Sequence, residues 1–296
     1  MNENNVLNKT IEILNKEGSK EAYEFLISEK ENIDPSSQFY NFLYCLAALS
    51  DQSEKALFFL EEAIIKKRMW YRPDVLLDDD LISIKDSERF LICKDISDAR
   101  YMEAKKDATT LFTWEKKTAT NLAIALHGNQ QNIEVCRNDW KFLESFGYQV
   151  EYVQSSEIDS QDLFRWEDDA KVQLPFALKK IGSEEYQEHM LCGFSAGCNE
   201  LLKSILEQDI NCNKLILASP WIPIIEKEIE KVIKVLNEKE IEVILICGKE
   251  DEDCYSMAVE LAKLIEENKG IVRTIFKENL GHEFPDDMRS VLKSIL

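Results

Sequence analysis

The chain has 296 residues, 45% of them hydrophobic and 31% charged, which is enough for two domains, or one large one, around a sizeable core. Acidic residues number 56 against 36 basic ones, and the net charge of -20 works against partnership with nucleic acid, anionic membranes or polyanionic substrates. No apolar stretch is as long as a membrane span, and residues 1–5 carry neither the basic nor the apolar part of a secretory signal, so the sequence reads as cytoplasmic.

Residues 1 to about 105 read as helices throughout. Val6, Ile11, Ile13 and Leu14 share one apolar face, and Ala22, Phe25 and Leu26 another after Gly18. Pro35 opens a third helix through Phe39, Phe42, Leu43 and Leu46, and Ser53 reads as the cap of a fourth. Trp70, Pro73, Leu76, Leu77, Leu81 and the Ser87-Glu88-Arg89-Phe90 run follow. This pattern resembles a degenerate tetratricopeptide-type module, without a 34-residue self-similarity that would make it a solenoid. Such a module implies either a groove for a protein partner or a helical cap that packs on the rest of the chain.

Near residue 105 the pattern changes to alternating strands and helices. Strands are predicted at 111–114, 121–126, 149–154, just before the turn at Ser195, and at 214–218, 242–246 and 272–276. Helices are predicted at 132–146, 167–180, after Ser195, and at about 225–238 and 255–268. A polar loop is expected at 155–166. Alternation of this kind predicts a mostly parallel sheet covered on both faces, with any site at the carboxyl ends of its strands. The domains are thus a small all-α region, 1–105, and an α/β region, 106–296.

Gly193-Phe194-Ser195-Ala196-Gly197 matches G-x-S-x-G between an apolar strand and an amphipathic helix. A serine on so sharp a turn needs hydrogens in place of side chains two residues away on either side. The helix that follows offers its first N–H groups to an oxyanion. A general base for Ser195 must come from three histidines, or a lysine. His189 precedes the elbow strand, at the wrong end of the sheet, and reads as structural. His127, in Leu126-His127-Gly128-Asn129, reads as part of an oxyanion loop. His282 remains, in Leu280-Gly281-His282-Glu283-Phe284-Pro285 after the last strand. The orienting acid falls between nucleophile and base, in Gly248-Lys249-Glu250-Asp251-Glu252-Asp253; Asp251 is the first choice and Asp253 the reserve. The eight cysteines are scattered and read as reduced core residues; Cys192 and Cys198, beside the elbow, lack metal-ligand spacing.

These four segments, in this order at strand ends, resemble the α/β-hydrolase superfamily, close to bacterial carboxylesterase and dienelactone-hydrolase-like proteins. The resemblance covers about 105–296 and implies Ser195 as nucleophile, His282 as base and Asp251 as acid. The backbone N–H groups of Asn129 and Ala196 would form the oxyanion hole. His127, Trp166 and Trp221 would border the substrate pocket. Gln130 and Gln131 stand where further glycines are common, and the strands that usually come first are missing.

The expected activity is hydrolysis of a carboxylic ester or thioester through an acyl-enzyme, with a small-molecule substrate and neither cofactor nor metal. A peptidase of the same fold, or a relic hydrolase serving as a partner-binding module, are the alternatives. The Met69-Trp70-Tyr71 cluster and residues 76–90 hold more large apolar side chains than a small helical domain readily buries, so the helical region is expected to pack on the α/β region and overhang the mouth of the Ser195 pocket.

Overall fold

A computed structural model describes residues 3–166, 173–181, 184–207, 210 and 212–296. The chain divides into two compact units, Met1–Ala108 with Ile158–Leu163, and Thr109–Glu157 with Phe164–Leu296.

In the first unit, helices α1 (Glu3–Glu17), α2 (Ser19–Glu29), α3 (Ser37–Leu49) and α4 (Ser53–Glu61) each pack on the next, and α5 (Glu88–Asp107) lies against α4. Gly18 turns the chain between α1 and α2 at φ +108°, which only glycine adopts freely. Ser36 caps α3, its hydroxyl accepting the N–H groups of Gln38 and Phe39. Ser53, expected as a cap, is instead the first residue of α4, and Gln52 before it makes no side-chain cap. Ser87 caps α5 through the Phe90 N–H. Phe39, Tyr40, Leu43, Tyr44, Leu60 and Ile64 fill the core between the helices.

The stretch expected as a polar loop contains a hairpin of two strands, Glu157–Ser160 and Leu163–Arg165. Its tip belongs to the helical unit. Tyr71 bridges to Ser160 there, the Arg72 N–H donates to Asp159 O at 2.8 Å, and Arg72 Nε donates to the Asp159 carboxylate at 2.9 Å. The tyrosine of the Met69-Trp70-Tyr71 cluster is thereby buried, its hydroxyl donating to Ser37 O.

The second unit is built on a seven-stranded sheet in the order β1-β3-β2-β6-β7-β8-β9. Its strands are β1 (Leu111–Phe112), β2 (Asn121–Leu126), β3 (Tyr148–Gln154), β6 (Glu188–Phe194), β7 (Lys214–Ala218), β8 (Glu242–Gly248) and β9 (Val272–Lys277), the hairpin strands being β4 and β5. Only β1 is antiparallel, and it is shorter than the predicted 111–114. Leu122, Ile124 and Leu126 of β2 face one core and Ala123 and Ala125 the other, and β7 and β8 alternate likewise. The first face carries α7 (Leu174–Ile181), α8 (Ala196–Glu207), α9 (Ile225–Glu238) and α10 (Tyr255–Glu267). The second carries α6 (Ile133–Trp140) and α11 (Met288–Lys293). The helix predicted over 132–146 is α6 followed by a tighter 3-10 segment, Lys141–Phe146, ended by Gly147 at φ +88°. Residues 167–172 of the next predicted helix lie outside the described residues, and α7 begins at Leu174. All eight cysteines are free and buried.

Two consequences can be measured. A Cβ on Gly248, the last residue of β8, would overlap the Leu280 carbonyl, so Gly248→Ala forces the β8 end and the loop after β9 apart. The expected loss is about 1–3 kcal/mol in a denaturant melt, the usual cost of overpacking. Glu200 on α8 is buried and accepts the N–H groups of Gln173 at 2.5 Å and Leu174 at 3.4 Å. Burial raises its carboxyl to about 7, against the pull of the Gln173 N–H and of Lys203. The folded state therefore binds this proton more tightly than the unfolded chain, and the stability it contributes at acid pH is lost as pH rises from about 4.5 through 7. Glu200→Gln should gain on the wild type by on the order of 1–3 kcal/mol between pH 5 and pH 8. A pH-independent difference between the two melts would contradict this.

Candidate active site

Ser195 follows β6, the middle strand of the sheet, and stands at φ +51°. That conformation costs a non-glycine residue on the order of 1–3 kcal/mol and turns the side chain out of the strand-to-helix bend. It is held by the Ser195 N–H on Ala218 O at 3.0 Å and by the Cys198 N–H on Ser195 O at 3.0 Å. The flanking glycines are needed for contact. A Cβ on Gly193 would stand 2.9 Å from Cys198 N, and one on Gly197 would stand 2.5 Å from His127 O.

His282 comes from the loop after β9 and Asp251 from the loop after β8. His282 Nε2 lies 2.9 Å from Ser195 Oγ, and Nδ1 lies 2.9 Å from Asp251 Oδ2. Asp251 is buried, which raises its carboxyl, but the hydrogen bond and charge of His282, the Cys254 N–H and Ser219 outweigh burial and hold it below the usual carboxylate value. An ionised Asp251 accepts a hydrogen bond from Nδ1–H, so Nε2 presents a lone pair to the serine hydroxyl. Asp253, the reserve, is exposed, and the contact to His282 is made by Asp251. Gly248 supports this pairing by letting β8 touch the backbone at Leu280 and Gly281, next to His282. The ring of Phe194 lies beneath His282 at 5.4 Å, and Phe284 packs on Phe194 and on buried Trp140.

The loop after β2 runs alongside. A Cβ on Gly128 would stand 2.9 Å from the Phe194 ring and 3.1 Å from Ser195 Cβ, so the backbone at 128–129 borders the serine. His127 is fully buried; its Nε2 accepts the Ser155 N–H at 3.1 Å, which leaves Nδ1 as the donor to Gly128 O at 2.6 Å. Burial holds this imidazole neutral, its pKa lowered to about 4. Because the peptide is trans, a carbonyl drawn toward His127 turns the Asn129 N–H the opposite way. Neither the Asn129 N–H nor the Ala196 N–H meets an acceptor among the described residues. Trp166 stacks on His127 at 4.9 Å, donates from Nε1 to His127 O at 2.7 Å, and receives Asn129 Oδ1 on its own N–H at 2.7 Å. Both rings are buried and brace the loop from behind. Trp221 is half-buried and packs against Cys247 and Cys254. His189 lies near the start of β6, at the opposite end from Ser195.

Two residues carry more than their sequence context suggested. Gln130 stands at φ +57°, the conformation a glycine would occupy freely, and Gln131 Oε1 accepts the Gly128 N–H at 2.8 Å. Between α8 and α9 there is a cavity of about 330 Å³ lined by Asn199, Lys203, Pro223, Ile224 and Lys227; neither Ser195 nor His282 borders it.

The A/B hydrolase-like, N-terminal domain family matches residues 2–105. An uncharacterised protein from Bacillus cereus ATCC 10987 has a crystal structure 30% identical to this chain, over 100% of this chain and 97% of its own, with a TM-score of 0.56. Est1E from Butyrivibrio proteoclasticus, in a structure with ferulic acid bound, is 14% identical over 63% of this chain and 92% of its own, with a TM-score of 0.46. A Bacillus cereus carboxylesterase is 16% identical over 66% of this chain and 96% of its own, with a TM-score of 0.45. No curated protein matches the chain. With a relative alike from end to end, and the N-terminal family match joined to this parallel sheet, the chain belongs to the α/β-hydrolase superfamily.

Proposed function

We propose that this chain is a serine hydrolase that cleaves carboxylic esters or thioesters through an acyl-enzyme. The observation that carries the reading is the unbroken chain of contacts Asp251 Oδ2–His282 Nδ1 and His282 Nε2–Ser195 Oγ, each 2.9 Å. Ser195 Oγ attacks the acyl carbon as its proton passes to Nε2, and the imidazolium formed is stabilised by the buried carboxylate. The N–H groups of Asn129 and Ala196 receive the oxyanion. Nε2 then gives the proton to the leaving alcohol or thiol. Water, activated by the same nitrogen, releases the acid and restores Ser195. A relic hydrolase has no need of this contact, and a Ser195 hydroxyl within hydrogen-bond reach of His282 supports an active enzyme.

A fluorophosphonate probe should label Ser195, and the protein should turn over short-acyl p-nitrophenyl esters or acyl thioesters faster than the matching amides. Absence of labelling together with no turnover across both series would remove the proposal; preferred turnover of the amides would replace it with a peptidase. Ser195→Ala should abolish turnover with little change in the melting curve, His282→Ala should do the same, and the double variant should be scarcely worse than either, because the groups act as a unit.

The acid is tested separately. Asp251→Asn should lower kcat by roughly 10³–10⁴-fold, since the amide no longer holds the productive imidazole tautomer. Asp253→Asn, at an exposed position, should leave kcat within a small factor of the wild type. The opposite ranking in a kcat comparison would transfer the role to Asp253.

A further inference from the structure

Cys254 is the side chain beside the triad that the hydrolytic reaction leaves unused. Asp251 Oδ1 accepts the Cys254 N–H at 3.0 Å, so the chain folds over the carboxylate and sets the thiol next to it. Cys254 Sγ lies 3.4 Å from His282 Nδ1, the same nitrogen that Asp251 Oδ2 holds at 2.9 Å. Among the described residues, one ligand atom from each of Asp251, Cys254 and His282 falls within 4.8 Å of the others. A second thiol, Cys247 Sγ, lies 3.7 Å from Asp251 Oδ2. Asp251 and Cys254 are buried while His282 is partly open to solvent, so an ion would approach by way of the imidazole.

Zinc binds sulfur at about 2.3 Å, imidazole nitrogen at about 2.0 Å and carboxylate oxygen at about 2.1 Å, which in a tetrahedral shell sets neighbouring ligands roughly 3.3–3.6 Å apart. The Cys254–His282 contact already has this length, and the Asp251–His282 contact needs to open by a few tenths of an ångström. One nitrogen, one sulfur and one carboxylate oxygen suit a borderline ion and disfavour magnesium or calcium, which take oxygen ligands. We propose that Asp251, Cys254 and His282 form an inhibitory site for a zinc-class divalent cation, seated on the Nδ1 side of the imidazole. The inhibitory part rests on the reading of His282 as the general base.

The ion takes no part in hydrolysis. On binding, the Cys254 thiol releases its proton to solvent and the sulfur bonds the metal, while the Asp251 carboxylate enters already ionised. Nδ1 must offer its lone pair, so the single proton of the neutral imidazole moves to Nε2. One proton leaves per ion bound, and no group is oxidised or reduced. Nε2–H then faces Ser195 Oγ as a donor and cannot take the serine proton. The ion thus fixes the tautomer opposite to the one Asp251 selects.

The test uses the purified, chelator-treated full-length chain, with Co²⁺ as a spectroscopic stand-in for Zn²⁺. Thiolate-to-cobalt charge-transfer absorption and p-nitrophenyl ester hydrolysis are followed in parallel titrations. The absorption should saturate at one equivalent, Zn²⁺ should displace it, and turnover should fall by roughly 10²-fold or more at saturation, the contribution of a lost general base. EDTA should restore turnover, and Mg²⁺ or Ca²⁺ should produce neither effect. Cys254→Ala, with Cys254→Ser as a second variant should the first fail to fold, should lose the absorption and weaken metal affinity by roughly 10–100-fold. Inhibition is read in each variant against its own metal-free rate. No absorption with unchanged turnover overturns the metal site and leaves the Ser195–His282 reading standing. A Cys254-dependent absorption without inhibition overturns the inhibitory role and counts against His282 as base. Inhibition that persists equally in the Cys254 variants assigns it to another part of the surface and overturns the proposal.

Discussion

Close approach of backbone to backbone is the constraint on which the α/β unit depends. Ser195 keeps a left-handed conformation because the turn around it is packed without side chains at Gly193 and Gly197, and because Gly128 lets the neighbouring loop come up beside its Cβ. Gly248 does the same between the acid loop and the histidine loop. Each of these glycines follows or borders the carboxyl end of a parallel strand, where the crossovers leave an open edge. The strand registers fix that edge. Leu126 of β2 is level with Gly193 of β6, so the loop after β2 and the turn at Ser195 leave the sheet at one height.

Electrostatics follow from that packing. A carboxylate as buried as Asp251 is costly unless its oxygens are occupied, and here Oδ2 faces His282 while Oδ1 takes the Cys254 N–H. The hydrogen bonds outweigh desolvation and the group stays ionised. Glu200, one turn along α8, shows the other outcome. It too accepts backbone N–H groups, yet desolvation wins and its carboxyl rises to about 7. The contrast lies in the partner: Asp251 faces an imidazole whose hydrogen bond and charge both favour the ionised carboxylate, whereas Glu200 has chiefly amide dipoles with Lys203 nearby.

What could be read in the sequence was local and periodic. The apolar runs of β2, β7 and β8 declare strands covered on both faces, and the glycines around Ser195 declare a turn with no room for Cβ. The hairpin at Glu157–Arg165 could not be read this way. Its strands are too short for a clear alternation, and what orders them is distant in sequence: Asp159 with Arg72, Ser160 with Ser37 and Tyr71. Composition favoured a loop, and a pairing across more than eighty residues overrode it. Ser53 failed as a cap for a local reason, since Gln52 already supplies the carbonyl that begins the helix by accepting the Lys55 and Ala56 N–H groups. The closeness of Cys254 to His282 was equally invisible, because it depends on the turn that Asp251 makes with the Cys254 N–H.

That hairpin also explains how the loop after β2 holds its path with glutamines at 130 and 131. Ser155, just before it, donates its N–H to His127 Nε2 and so selects the tautomer whose Nδ1–H draws the Gly128 carbonyl inward. Phe164, on its returning strand, exchanges backbone hydrogen bonds with Gln130 and Gln131, and Trp166 binds the Asn129 side chain. These contacts hold Gln130 at φ +57° without a glycine's freedom, and the Gln131 side chain takes the Gly128 N–H that would otherwise be left unpaired. A glycine-rich loop would gain the same backbone path by flexibility. Here the path is imposed from outside, by strands whose connecting tip folds as part of the helical unit.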